Sequence, residues 1–160
     1  MARFPRVTAE SLNRERYALP GDFEGALNLV FIAFQQIHQR DVDTWLPAAQ
    51  QLVARYEGLR YYELPTIRRL NPLARTFIDG GMRAGIPALE SRRATITLYL
   101  DKEPFRRALE IPDESTIHVL LVDRLGEIHW RSIGSCQPQK IEALAATLRD
   151  LLPVRNDSRG

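Results

Sequence analysis

Few residues of this sequence could carry covalent or acid–base chemistry. The chain has one cysteine, Cys136, and three histidines, His38, His118 and His129. A single cysteine excludes an internal disulfide, and no histidine or cysteine pair has the short spacing that is typical of a metal site. We interpret Cys136 as a small, partly buried side chain that precedes the last helix. The sequence therefore predicts no cofactor and no metal site.

The three histidines are not expected to share a metal ion. A predicted hairpin that pairs Asp123 with Glu127 makes Leu121 face His129 and places His118 on the other face of the sheet. A shift of one residue would reverse that arrangement. His38 lies elsewhere, in a polar loop, and we interpret it as an exposed loop residue.

The polar segment 35–40, QQIHQR, follows a continuous apolar run at 28–34. Such a run is typical of a strand buried on both faces. Asp41 or Asp43 is predicted to cap the amphipathic helix that follows and ends before Gly58. The amides at the start of such a helix can stabilise a thiolate. Because this corner has no cysteine, we expect no thiol–disulfide exchange there.

The remaining segments alternate between strand and helix patterns, which predicts an α/β fold with a central mixed β-sheet and helices on both faces. A β-hairpin at 116–134, with Gly126 in its turn, precedes a final helix at 137–152. We predict a loose N-terminal arm at 1–19, one domain at 20–152 and a polar tail at 153–160. The other predicted elements are strands at 59–64 and 93–100, a helix beginning at Asn71 and a short helix at 103–111.

Composition limits the class of protein. With 160 residues, of which 44% are hydrophobic, the chain suits one globular domain. A net charge of +2 does not indicate a nucleic-acid partner. The first residues lack the apolar core of a signal peptide, and no apolar run approaches the roughly 20 residues of a membrane span. A cytoplasmic location is the resulting expectation.

The predicted order of elements resembles the thioredoxin-like fold in its TlpA and peroxiredoxin form, with the closest match between Ile96 and Gly134. A narrower resemblance rests on the stretches VDTWLP, YYELP, RRLNPLARTF, PFRRALEI and VLLVDRLGEIHWRSIG. These are similar to the assembly chaperones of the mitochondrial F-type ATP synthase and their bacterial relatives. That resemblance implies a redox-inactive thioredoxin-like domain that assists assembly of a membrane complex.

Three functional hypotheses follow. The favoured hypothesis is a non-catalytic binding or assembly factor with a protein partner. The resemblance implies that this partner is membrane-associated. The sequence does not indicate the oligomeric state of the protein. The alternatives are an enzyme with His38 as general base and a one-cysteine peroxidase or glutathione-type enzyme that uses Cys136. An arginine-rich segment could meet an acidic partner or lipid surface, or it could be a solvated helix face. The candidate partner-binding residues are Gln35, Gln36, His38, Gln39, Arg40, Trp45, Arg68, Arg69 and Arg75.

Overall fold

The computed structural model describes residues 2–11, 14–68 and 94–155. Within these ranges, seven strands form one sheet and three α-helices pack against it. The elements are β1 (Val7–Ser11), β2 (Arg16–Leu19), β3 (Leu27–Ala33), α1 (Gln39–Arg55), β4 (Leu59–Arg68), β5 (Ile96–Leu100), α2 (Lys102–Ala108), β6 (His118–Val122), β7 (Ile128–Ile133) and α3 (Pro138–Leu151).

The sheet is mixed, as predicted, and its strand order is β2-β1-β5-β4-β3-β6-β7. The pairs β3–β4 and β4–β5 are parallel, and the other pairs are antiparallel. Ile32, near the end of β3, lies opposite His118, the first residue of β6. The carboxyl end of β3 and the amino end of β6 therefore lie at the same edge of the sheet.

The apolar run of β3 supplies both faces of the core, because successive side chains of a strand point to opposite sides. Phe31 packs with Trp45 of α1 and Leu148 of α3 in one buried cluster. Ile32 belongs to the other cluster, together with Phe105 of α2. Helices on both faces of the sheet are thus confirmed.

The N terminus differs from the predicted loose arm, which is wrong for most of its length. β1 and β2 form an antiparallel pair, and β1 also pairs with β5 through Glu10 and Thr97. Phe4, Tyr17 and Leu19 are buried in the core. These strands are too short to show an alternating pattern in the sequence. β2 pairs with β1, a few residues away, and β1 is joined to the rest of the sheet by β5, about 85 residues away, a pairing that no local signal indicates.

The start of α1 also differs from the prediction. The helix begins at Gln39, directly after a 3-10 turn at Gln36–His38, and no side chain caps it. The predicted cap by Asp41 or Asp43 is wrong. Asp41 lies in the first turn, where its negative charge interacts favourably with the positive end of the helix dipole, although its side chain does not accept a hydrogen bond from a backbone amide there.

The C-terminal hairpin has the predicted turn but a different register. Gly126 has φ +90°, the left-handed conformation expected of it, and the Asp123 amide donates to the Glu127 carbonyl. A β-bulge between Leu121 and Val122 then shifts the pairing, so that Leu121 lies opposite Trp130 and not His129. His118 and His129 lie near opposite ends of the hairpin.

A lysine side chain forms hydrogen bonds at the carboxyl end of the edge strand β7. The Lys140 ammonium donates to the carbonyl oxygens of Ile133, at 2.5 Å, and of Ser135, at 2.7 Å. The first turn of α3 is thereby tied to the last residues of the sheet. Within the described ranges, no helix has the length and apolar character needed to cross a lipid bilayer.

Candidate functional site

The polar segment 35–40 forms the corner between β3 and α1, at the edge of the sheet where β6 begins. We call residues 35–40 the corner. The loop that precedes β6 packs beside it, since the Gln35 side-chain amide donates to the Glu114 carbonyl oxygen at 2.8 Å. In turn, the Glu114 carboxylate forms ion pairs with Lys102 and Arg106 of α2. The corner is therefore fixed to the opposite side of the sheet through Gln35.

His38 holds the corner from within and is only 4% exposed, so the prediction of an exposed loop histidine is wrong. Its Nδ1 atom accepts the backbone N–H of Phe34 at 3.1 Å and that of Gln35 at 3.3 Å. The neutral ring then carries its proton on Nε2. Neither nitrogen has a free lone pair, so this arrangement does not suit the general base of the enzyme hypothesis.

Gln39 compensates a buried carboxylate. Its amide nitrogen donates to Glu63 Oε1 at 2.9 Å and to Asp43 Oδ1 at 2.8 Å. Glu63 is 7% exposed, and burial raises the pKa of its carboxyl group, with the Gln39 hydrogen bond lowering it and the Asp43 charge raising it further. Gln35 and Gln39 are exposed residues, but their side-chain donors are already used within the fold.

Trp45 is part of the core, which removes it from any partner-binding surface. It is 0% exposed, and its indole N–H donates to the Gly134 carbonyl oxygen at 2.9 Å. The ring packs edge-on against Trp130, with 6.3 Å between the ring centroids. The helical stripe in the sequence placed Trp45 on the apolar face, and burial follows from it. Its predicted partner-binding role is therefore wrong, and so is that of the buried His38 side chain.

The corner residues that remain directed at solvent are Gln36, Ile37 and Arg40. All three are exposed, and Ile37 has 63% of its surface accessible. Among the described residues, the side chains of Gln36 and Arg40 have no hydrogen-bond or ion-pair partner within the distances that define one. Sequence reasoning missed Ile37, because a single aliphatic residue within a polar run does not by itself indicate whether its side chain is buried or exposed.

The predicted arginine-rich surface is described only at its first residue. Arg68 is exposed at the end of β4, three residues beyond Pro65, which pairs with Ala33 at the end of β3. Three strand residues span roughly 10 Å, so Arg68 projects past the end of β3 at the edge of the sheet that carries the corner. Arg69, Arg75 and the helix predicted to begin at Asn71 lie outside the described residues.

Cys136 follows β7 and lies against the side of α1. Its backbone N–H donates to Thr44 Oγ1 at 2.9 Å. Burial raises the pKa of the thiol, which the positive charge of Lys140 opposes. At neutral pH the side chain is a protonated thiol, so it does not have the activated thiolate that a peroxidase would require.

Two further groups of titratable residues lie in the hairpin. At its turn, ligand-type atoms of Asp123, Glu127 and His129 lie within 4.8 Å of one another, with 3.0 Å between Asp123 Oδ2 and His129 Nε2. At its other end His118 is 5% exposed and its Nδ1 has no partner in the described part of the chain. Burial lowers the pKa of His118, Arg131 lowers it further, and Asp113 raises it.

Comparisons with known proteins bear on the fold. No family model matches the sequence, and no curated protein matches it. Among solved structures, the chain is similar to the exposed lipoprotein thioredoxin of Streptococcus pneumoniae, with a TM-score of 0.58, 10% identity, and 92% of this chain and 100% of that chain covered.

Two Bacteroides structures are also similar. The thioredoxin domain of a thiol-disulfide oxidoreductase from Bacteroides vulgatus gives a TM-score of 0.53 at 18% identity, covering 91% of this chain and 94% of that chain. A thiol:disulfide interchange protein from Bacteroides sp. gives 0.57 at 18% identity, covering 94% and 88%. Identities this low are informative about architecture alone. The order of elements, the mixed sheet and these similarities together establish that the chain has a thioredoxin-like fold.

Proposed function

We propose that this protein is a non-catalytic binding factor, with an assembly or chaperone-like role, built on a redox-inactive thioredoxin-like domain. One observation carries the proposal. The corner, where this fold presents a thiolate to its substrates, has no sulfur, and its buried polar groups are already hydrogen-bonded within the fold. What the corner offers to solvent is a contact surface.

The proposal extends to the kind of process. Five stretches of the sequence resemble the assembly chaperones of the mitochondrial F-type ATP synthase and their bacterial relatives. A membrane-associated protein partner is the corresponding proposal, and the exposed residues of the corner are its proposed contact.

A pair of measurements tests the proposal. A photo-crosslinking amino acid replaces Gln36 in the protein expressed in its native cell, and in a matched control it replaces Arg149, an exposed residue of α3. We expect a discrete protein adduct from position 36 and none from position 149. Purified protein is also incubated with a disulfide substrate and a reductant, and we expect no turnover beyond that of the reductant.

Two results would contradict the proposal. Equal labelling at the two positions, or labelling at neither, would show that the corner does not contact a protein in the cell. Disulfide turnover that disappears in a Cys136→Ser variant would show that the domain is an oxidoreductase with an unexpected nucleophile.

A further inference from the structure

We infer that the corner recognises an acidic protein segment that carries an apolar side chain beside a carboxylate, with Arg40 and Ile37 as the recognising residues and Gln36 as an accessory amide. This inference rests on the proposed function and specifies the partner's chemistry. It is carried by the placement of these three side chains relative to those that hold the corner together.

The corner divides into two sets of side chains. Gln35, His38 and Gln39 are tied to Glu114, to backbone amides and to Glu63, respectively. Gln36 and Arg40 make no such contacts among the described residues. Ile37, in the 3-10 turn, and Arg40, the second residue of α1, are three positions apart, which places these two side chains on the same side of the turn. A rigid inner set thus supports an outer set that is free to bind.

Ile37 is the apolar element of the outer set. An isoleucine that is 63% exposed contributes little to folding, and burying it against a partner would recover the hydrophobic free energy that the free protein lacks. Its neighbours in the chain are polar, so an apolar contact made by Ile37 would have a polar rim.

Arg40 sets the charge of the partner. It is the second residue of α1, where the positive end of the helix dipole disfavours a cation, so its position is not explained by helix stability. No carboxylate of the described residues lies within 4.0 Å of its guanidinium. The helix dipole and the free guanidinium both favour an incoming carboxylate, and a guanidinium can bind one in a bidentate manner.

Spacing limits the partner segment. Three residues of a 3-10 turn advance roughly 6 Å and bring positions i and i+3 into line, and this is the separation we assign to Ile37 and Arg40. A segment that meets both must present its carboxylate and its apolar side chain at a similar distance. Two side chains satisfy this requirement if they are two positions apart on an extended segment or one turn apart on a helix.

The test uses synthetic peptides and fluorescence anisotropy with the full chain. One 12-residue peptide has glutamate and leucine two positions apart, a second has lysine for glutamate, and a third has serine for leucine. A second set has the same pairs one helical turn apart. The protein variants are Arg40→Glu and Ile37→Asp, with Arg149→Glu and Leu125→Asp as controls, because these two exposed residues lie far from the corner.

We expect the glutamate–leucine peptide of one set to bind more tightly than its lysine and serine counterparts. Arg40→Glu and Ile37→Asp should each weaken that binding about tenfold or more, and Arg40→Glu should reverse the preference toward lysine. High salt should weaken the wild-type interaction, since the ion pair is exposed. The two control variants should bind as the wild type does.

The inference is overturned if no glutamate–leucine peptide binds up to roughly 1 mM, or if the lysine or serine peptides bind equally well. It is also overturned if Arg40→Glu has no larger effect than Arg149→Glu. Since Gln36 crosslinking is measured independently, a persistent adduct in an Arg40→Glu background would remove this inference and leave the proposed function standing. Far-UV circular dichroism of each variant excludes misfolding as the cause of lost binding.

Discussion

The buried ring of His38 allows the geometry of the corner to be tested by substitution. Its Nδ1 atom accepts two backbone N–H groups, from Phe34 and Gln35. A buried donor that loses its partner costs about 1–3 kcal/mol, and the two donors share one acceptor here. We therefore expect His38→Ala to lower the free energy of unfolding by about 2–4 kcal/mol, with the larger value including the lost packing of the ring.

Two further variants separate the hydrogen bonds from the packing. The side-chain oxygen of asparagine is attached at Cγ, as Nδ1 is in histidine, so His38→Asn can keep an acceptor in place. Glutamine carries its oxygen one bond further out, so His38→Gln is the matched control. We expect His38→Asn to recover about 1 kcal/mol or more relative to alanine, and His38→Gln to recover much less.

The measurement is urea unfolding followed by far-UV circular dichroism at constant pH, with free energies from linear extrapolation. If asparagine and glutamine are equally destabilising, the acceptor role of Nδ1 is wrong. The same conclusion follows if His38→Ala costs less than about 0.5 kcal/mol, the range of an ordinary surface substitution.

The buried side chains of Glu63, His118 and Trp45 can also be tested by substitution. Burial raises the pKa of Glu63 above its usual 4.5, so the stability that this carboxyl group contributes is present at acidic pH and is lost as the pH rises. In urea unfolding, Glu63→Gln should therefore be more stable than the wild type at pH 8, by a margin that shrinks toward pH 4.5. A margin that grows on acidification contradicts this prediction. Burial lowers the pKa of His118 below 6.5, so as the pH falls below 6.5 the unfolded chain binds a proton at this residue that the native chain does not, and stability is lost. His118→Gln should reduce this loss of stability between pH 7 and pH 5.5. An unchanged dependence of stability on pH refutes the assignment. Trp45→Phe should lower the free energy of unfolding by about 2–3 kcal/mol, because it leaves the Gly134 carbonyl without its donor and creates a small cavity. In parallel thermal melts, a loss of stability no greater than that of Trp130→Phe would be inconsistent with the hydrogen bond.

The central part of the fold could be predicted from the sequence because its signals are local. The apolar run of β3, the turn around Gly126 and the stripe of α3 each show their own period or punctuation. β1 and β2 could not, since β2 pairs with β1 and only the pairing of β1 with β5, far along the chain, joins them to the rest of the sheet. The bulge after Leu121 changed the register of the hairpin, and nothing in the local sequence specifies it.

The site was predicted in position and only partly in detail. A polar run between a buried strand and an amphipathic helix identified the corner. Which of its side chains face inward depends on the 3-10 turn at Gln36–His38, which rotates His38 into the protein and leaves Ile37 outside. A one-dimensional pattern contains no information on that rotation, so the buried histidine was assigned to the surface and the exposed isoleucine was overlooked.

Lys140 has a consequence for how the protein behaves in concentrated solution. A free carbonyl on an outer strand is an acceptor that a strand of another molecule can use to extend the sheet. The ammonium group of Lys140 is hydrogen-bonded to the carbonyl oxygen of Ile133. The backbone N–H of another molecule could bind this oxygen only by displacing the ammonium group, whose charge would be desolvated by the approaching strand. One side chain of the final helix therefore helps to keep neighbouring molecules from joining end strand to end strand.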